Sequence, residues 1–294
     1  MPAPNREQQR KAETLARLHS GAVPLLLVNV WDSASARMIE QAGFPAIATT
    51  SAGIAFAHGF PDGQKIHPDQ MMAAIARIAD AVSVPVTADV EAGYGTTPES
   101  AARTAAHVIS SGAVGMNFED ATGDRRQPLA DLSLQRERIH AIREMAKKLG
   151  VRLVLNARTD VYLLEVGEAP KRYDETVRRL RAFRDAGADS VFVPGLGDGA
   201  AIARLVKDLD CPVNILAAPG GLSVGELGRL GVKRISLGSG PMRSSLGLLR
   251  RLAEEVRNSG TYTNMNGAPS HAEMNELMKR TEGQKPGRKN PTAK

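Results

Sequence analysis

A chain of 294 residues can hold one or two domains, and a single α/β barrel commonly runs to about 250 residues. Hydrophobic residues make up 42% but aromatics only 4%, which suits buried parallel strands and excludes a groove that stacks nucleic-acid bases on aromatic rings. Of the net charge of +6, four units lie in the last twelve residues, "GQKPGRKNPTAK", and the remaining +2 is an ordinary globular balance that calls for no nucleic-acid partner.

In chain order, the N-terminus "MPAPNREQQRKAETLARLHSG" is polar and has no signal-peptide core, and no later apolar run reaches the ~20 residues of a membrane span. Eight apolar, β-branched runs follow: "LLLVNV" (25–30), "AIATT" (46–50), "VPVTADV" (84–90), "AVGMNFE" (113–119), "RLVLNAR" (152–158), "SVFVPG" (190–195), "PVNILA" (212–217) and "RISLG" (234–238). Stretches of helical period separate them, among them 98–111, 132–149 and 173–186. Asp32 suits the N-cap of the helix in "SASARMIEQA". Short glycine signatures ("AGF", "SGA", "LGV", "AGA", "LGV") close helices just before strands, where glycine fits a left-handed C-cap. Alternating β and α units imply a parallel sheet with right-handed crossovers, and eight units close most naturally into a (β/α)8 TIM-type barrel. An open doubly wound sheet would want G-x-G-x-x-G after the first strand, and "NVWDSASA" has none. A helix over 242–258 completes the barrel, and "HAEMNELMKRTEG" predicts one more. The expected organisation is one domain over 1–281 and a basic, disordered tail over 282–294. The lone Cys211 cannot form an internal disulfide, so a reducing cytoplasm is expected.

Barrel enzymes build their sites at the C-terminal ends of the strands. Those ends carry Thr49, Thr50 and Ser51, then Asp89 and Glu91, then Glu119 and Asp120, then Asn156, Arg158 and Asp160, with Asn214 on the seventh strand. Asp89, Glu91 and Glu119 come from neighbouring strands, and carboxylates so gathered need a cation or protonation. With no His or Cys at a strand end, a hard cation, Mg2+ or Mn2+, is favoured over zinc. Arg158 on the next strand could hold a substrate carboxylate or balance an oxyanion. The competing reading is an internal ion-pair network around Arg158 with no ligand. No strand ends in Lys, which argues against a Schiff-base aldolase. Cys211 starts a strand and reads as core. His58 and His67 read as solvated loop residues, with a catalytic role as the alternative. "APGG" (218–221) and "GSG" (238–240) keep a phosphosugar barrel in view.

"ADVEAGYG", "TTSAGIAFAHGFPDG", "NFEDATG" and "LNARTD", in barrel order, resemble motifs of the isocitrate lyase/phosphoenolpyruvate mutase superfamily over roughly 23–258. The resemblance implies a Mg2+-dependent enzyme acting on a small α-keto or hydroxy acid through an enolpyruvate-like enolate. It implies that Asp62, Asp89, Glu91 and Glu119 hold Mg2+ and its waters, and that Thr49, Thr50 and Ser51 serve the substrate carboxylate. Arg158 and Asn214 would meet the substrate, with Arg158, Asp62 and Glu119 as the catalytic set. A homotetramer is also implied, often with a C-terminal helix exchanged between neighbours.

Departures from the family pattern bear on the reaction. The lyases' K-[KR]-C-G-H loop is replaced by "EDATGDRRQPLADLSLQRERI", with no Cys and no His before His140, so their catalytic acid is missing. The mutases' Lys and Asn are not matched by Arg125, Arg126 and Gln127. The sixth strand ends in Pro194, where the mutases carry a polar residue. The leading expectation is a lyase cleaving a C–C bond beside a keto or hydroxy-acid carbon. The alternatives are a phosphorylmutase or phosphonopyruvate hydrolase acting at a C–P bond (carboxyvinyl-carboxyphosphonate phosphorylmutase-like), and an α-keto acid binding protein without turnover.

Overall fold

Every predicted strand run contains a strand in the computed structural model, which describes residues 6–279. β1 (Leu25–Leu27) and β2 (Asn29–Val30) are one barrel strand broken at Val28. They are followed by β3 (Ile47–Thr49), β4 (Val86–Asp89), β5 (Gly115–Glu119), β6 (Val154–Arg158), β7 (Ser190–Phe192), β8 (Val213–Leu216) and β9 (Arg234–Ser236). All neighbours pair in parallel, in the order β1-β9-β8-β7-β6-β5-β4-β3-β2. Because β1 pairs with β9 and β2 with β3, the sheet closes on itself at the break, giving the α/β TIM-type barrel.

The helices are α1 (Arg6–Leu18), α2 (Ser33–Gln41), α3 (Ser51–Ala57), α4 (Pro68–Ala81), α5 (Pro98–Ser110), α6 (Leu132–Lys148), α7 (Arg172–Asp185), α8 (Gly199–Leu209), α9 (Val224–Arg229), α10 (Gly240–Ser259) and α11 (His271–Met278). Asp32 caps α2 as expected, accepting from the Ser35 amide at 2.7 Å. The five glycines expected to end helices all have positive φ, from 68° at Gly150 to 113° at Gly187. The additional C-terminal helix is present as α11, while the predicted tail over 282–294 lies outside the described residues.

The sequence reading did not anticipate α1. It closes the foot of the barrel: Ala12 and Leu15 are fully buried, and Leu15 reaches the backbone of Gly115 at the start of β5. Beyond it, His19 Nε2 lies 3.3 Å from Arg234 Nη1. Arg234 crosses the barrel interior to donate to Asn117 Oδ1 at 3.0 Å. Asn156 donates to the same oxygen at 2.8 Å and accepts from Ser190 at 2.7 Å. A polar layer therefore fills the middle of this barrel, where bulky aliphatic side chains are more usual.

Candidate active site

The turn "EAGYG" is held in a strained form at the mouth. Glu91, Gly93 and Tyr94 have φ of 51°, 82° and 54°, and a Cβ on Gly93 would stand 2.7 Å from Phe118 Cε2, so only glycine fits there. Arg138 of α6 supports the turn from behind. It donates to the Ala92 carbonyl and, at 2.8 Å, to the Gly95 carbonyl, while stacking 4.7 Å from the Phe118 ring. From the loop after α3, the Gln64 amide donates to Glu91 Oε2 at 2.6 Å and the Gln64 side chain accepts from the Tyr94 amide at 2.6 Å.

These supports place Asp89 and Glu91 as expected, buried side by side at the end of β4. Asp89 Oδ2 accepts from the Ser51 amide (3.0 Å) and hydroxyl (2.8 Å). Asp89 Oδ1, Glu91 Oε1 and the Tyr94 hydroxyl are buried with no partner. Burial, and then the neighbouring charges of Asp89 and Asp62, push the Glu91 carboxyl up to about 8.

Glu119 and Arg158 end the adjacent strands in register and pair at 2.9 Å. Arg158 also grips Asp160 with two bonds, Nε to Oδ1 at 2.5 Å and Nη2 to Oδ2 at 2.9 Å. Burial raises the Glu119 pKa, against the pull of Arg158. Burial alone would lower the Arg158 pKa, but Glu119 and Asp160 outweigh it. Asp120, fully buried, turns away from the mouth: it accepts from Thr159 Oγ1 (2.7 Å), the Asp160 amide (3.0 Å) and Arg179 Nη1 (3.1 Å). Arg179 of α7 also donates to the Ala130 carbonyl at 3.0 Å and so ties both ends of the loop over 121–130.

The structure adds detail to the expected site residues. Among the described residues, no three Asp, Glu, His or Cys side chains stand close enough to seize a metal ion unaided. The shell of Asp62, Asp89, Glu91 and Glu119 is thus not preassembled: Asp62 is exposed on the loop after α3, and Glu119 is engaged by Arg158. Even so, the chemistry of the donors fits a hard cation with water in its shell, because two buried carboxylate oxygens lack any donor. The hydroxyls of Thr49, Thr50 and Ser51 serve the scaffold, since β3 runs directly into α3. Thr49 accepts from the Asp89 amide at 2.8 Å, Thr50 caps α3 and Ser51 bonds Asp89. Asn214 is fully buried, with Oδ1 unpartnered and its amide donating to Ser236 at 3.2 Å. The Leu237 and Gly238 amides are both taken by Asn29 Oδ1 at 2.9 Å, which weakens "GSG" as a phosphate cradle.

His58 bonds the Ile54 carbonyl and His67 caps α4, in keeping with structural roles for both. Burial pushes the Cys211 thiol up to about 11, which suits an inert core residue. Gln64, Arg138 and Arg179 were invisible in the sequence because each reaches the site from another element. Asp160 stood at a strand end but its grip on Arg158 needed the geometry.

The family model described as phosphoenolpyruvate phosphomutase matches residues 15–257. Uncharacterized protein MT2054 of Mycobacterium tuberculosis (strain CDC 1551 / Oshkosh) is 36% identical over 229 residues, covering 78% of this chain and 83% of that protein. The 2-methylisocitrate lyase of Escherichia coli K12 is 28% identical over 65% of this chain and 64% of the enzyme. A Burkholderia cenocepacia J2315 structure, assigned provisionally as a lyase/mutase, superposes with a TM-score of 0.87 at 39% identity, covering 92% of this chain and 96% of the other. Phosphonopyruvate hydrolase, solved with oxalate and Mg2+, shares the fold at 23% identity and a TM-score of 0.80, over 91% and 94% of the two chains. With its barrel, its acidic turn at the mouth and a family model spanning most of its length, this chain belongs to the isocitrate lyase/phosphoenolpyruvate mutase superfamily.

Proposed function

We propose that the chain is a Mg2+-dependent lyase that cleaves a C–C bond of a small keto or hydroxy acid. The observation that carries this reading is the pair of unpartnered buried oxygens, Asp89 Oδ1 and Glu91 Oε1, near a half-buried arginine at the barrel mouth. Asp89 and Glu91, with Glu119 and Asp62 through water, would hold the ion, which supplies Lewis-acid stabilisation of developing negative charge when bound. Arg158 is oriented by Asp160 and Glu119, and the donor edge they leave free can take a carboxylate or enolate oxygen. The Asp120–Thr159–Asp160 bonds hold that arginine in place, so little reorganisation is needed as charge develops. The Tyr94 hydroxyl, kept neutral by burial and by the surrounding carboxylates, can donate a hydrogen bond within the same cavity.

The C–P reading leaned on Arg125 and Arg126. Both are exposed on a short hairpin closed by the Ala121–Leu129 bridge. Calorimetric titration of oxalate, a planar enolate mimic, with and without Mg2+ tests the site. Binding that requires Mg2+ is the expected result, and no binding in either condition would overturn it. Turnover of a keto or hydroxy acid at about 1 s⁻¹ or more would then separate an enzyme from a binding protein.

A further inference from the structure

Parallel register carries one ring of same-side neighbours round the mouth: Glu119 beside Arg158, Arg158 beside Phe192, Phe192 beside Asn214. Leu216 pairs with Ser236 two residues further along β8, and so faces inward nearer the rim. The ring has two unlike halves. From β4 to β6 it is charged, with Asp89, Glu91, Glu119 and Arg158. From β7 to β9 the rim is not: Arg234, which follows Asn214 in the register, turns its guanidinium down to Asn117 and His19. Phe192 is buried with its ring 5.6 Å from the Arg158 guanidinium. Leu216 is half-buried, its Cδ1 against Gly238. The polar group on this side, the Asn214 amide, is uncharged and has Oδ1 unpartnered. The turns that follow, residues 193–198, 217–223 and 237–242, contain no Lys, Arg or His.

A ligand whose carboxylate end meets Arg158 must extend its other end over this half. A second carboxylate or a phosphonate there would lose its water against hydrocarbon beside arginines already committed elsewhere, Arg158 to Glu119, Asp160 and the head group and Arg234 to Asn117, which disfavours it. An alkyl end would gain by burial against Phe192 and Leu216. We infer that the site takes a monocarboxylic 2-keto or 2-hydroxy acid with an uncharged, alkyl far end, and that Phe192 and Leu216 determine this specificity. The inference rests on the proposed head-group site at Asp89, Glu91 and Arg158.

Displacement of oxalate, in the presence of Mg2+, by 2-oxopentanoate, oxaloacetate and phosphonopyruvate tests it, since all three share the 2-keto acid head. The expected order places 2-oxopentanoate at least about tenfold tighter than either of the others. Leu216→Lys should reverse that order, whereas Leu216→Met should keep it. Oxaloacetate or phosphonopyruvate binding as tightly as 2-oxopentanoate would overturn the alkyl-end assignment while the head-group site stood. An unchanged order in a folded Leu216→Lys variant would remove Leu216 from the specificity wall. Oxalate failing to bind with or without Mg2+ would bring down the head-group reading, and this inference with it.

Discussion

Arg158 is the residue on which the charges of the mouth balance. It is half-buried between two buried carboxylates, Glu119 at 2.9 Å and Asp160, which it grips through two bonds. Removing one partner of a buried ionic group leaves the others uncompensated, which is far costlier than breaking a surface pair. Arg158→Ala is therefore expected to destabilise the fold by about 3–5 kcal/mol, measured by denaturant titration. Arg158→Lys keeps the charge but cannot reproduce the fork on Asp160, so it should weaken oxalate binding about tenfold or more. A stability loss under about 1 kcal/mol in the alanine variant would mean that the carboxylates are not committed to this arginine. Much of this centre was legible from residue types alone. Alternation on β4 placed Asp89 beside Glu91, and strand order placed Glu119 and Arg158 next to them. The directions of the hydroxyls were not legible. Thr49, Thr50 and Ser51 sit where expected, yet the turn from β3 into α3 points them at Asp89 and at the helix start rather than into the cavity.

At the scale of the element, strands and helices could be read because their patterns are strong: β-branched runs bounded by turns, and a glycine two residues past the ends of α2, α5, α6, α7 and α9. α1 could not. Its sequence "REQQRKAETLARL" is mostly polar, and only Ala12 and Leu15 are buried, too few to mark a packed helix. What fastens its end is His19. Nδ1 lies 2.8 Å from the Leu15 carbonyl and so carries the proton, leaving Nε2 to accept from Arg234. Protonating Nε2 would set two donors against each other. Burial first, and then the Arg234 charge, lower the His19 pKa from 6.5 to about 4, against the Leu15 bond and the more distant Asp189, which raise it. The unfolded chain thus binds the extra proton below about pH 6.5 while the folded chain refuses it until about pH 4. Stability is full above pH 6.5 and falls as pH drops through that window, by roughly 2–3 kcal/mol between pH 7 and pH 4.5 from this group. Denaturant titration of the wild type and of His19→Gln at both pH values measures it. The gap between the two proteins should shrink toward low pH, and a gap independent of pH would show that His19 does not carry the proton linkage.

At the scale of the whole molecule, α10 is out of keeping with a finished barrel. It is the longest helix among the described residues at 20, yet only Met242, in its first turn, is buried. Met242, Leu246, Leu249, Ala253 and Val256 fall at spacings of three and four, which draws one apolar stripe along the helix. Leu246, Leu249 and Val256 on that stripe are 44%, 59% and 49% exposed. A helix earns its stability mainly by covering such a face, and α10 is fastened instead at its two ends. Its start packs Met242 near Gly53, and Glu255 near its end collects bonds from Thr261, Thr263 and Asn264 that fold the following turn back upon it. Held at both ends with its stripe open, α10 offers an apolar face that a second copy of the chain would cover. Light scattering should give a mass above the 31.3 kDa of one chain at micromolar concentration. The double substitution Leu246→Glu and Leu249→Glu should shift the mass toward one chain, because two buried like charges would oppose the contact. A wild-type mass of one chain, or an unchanged oligomer in the double variant, would mean that this stripe is not where copies meet.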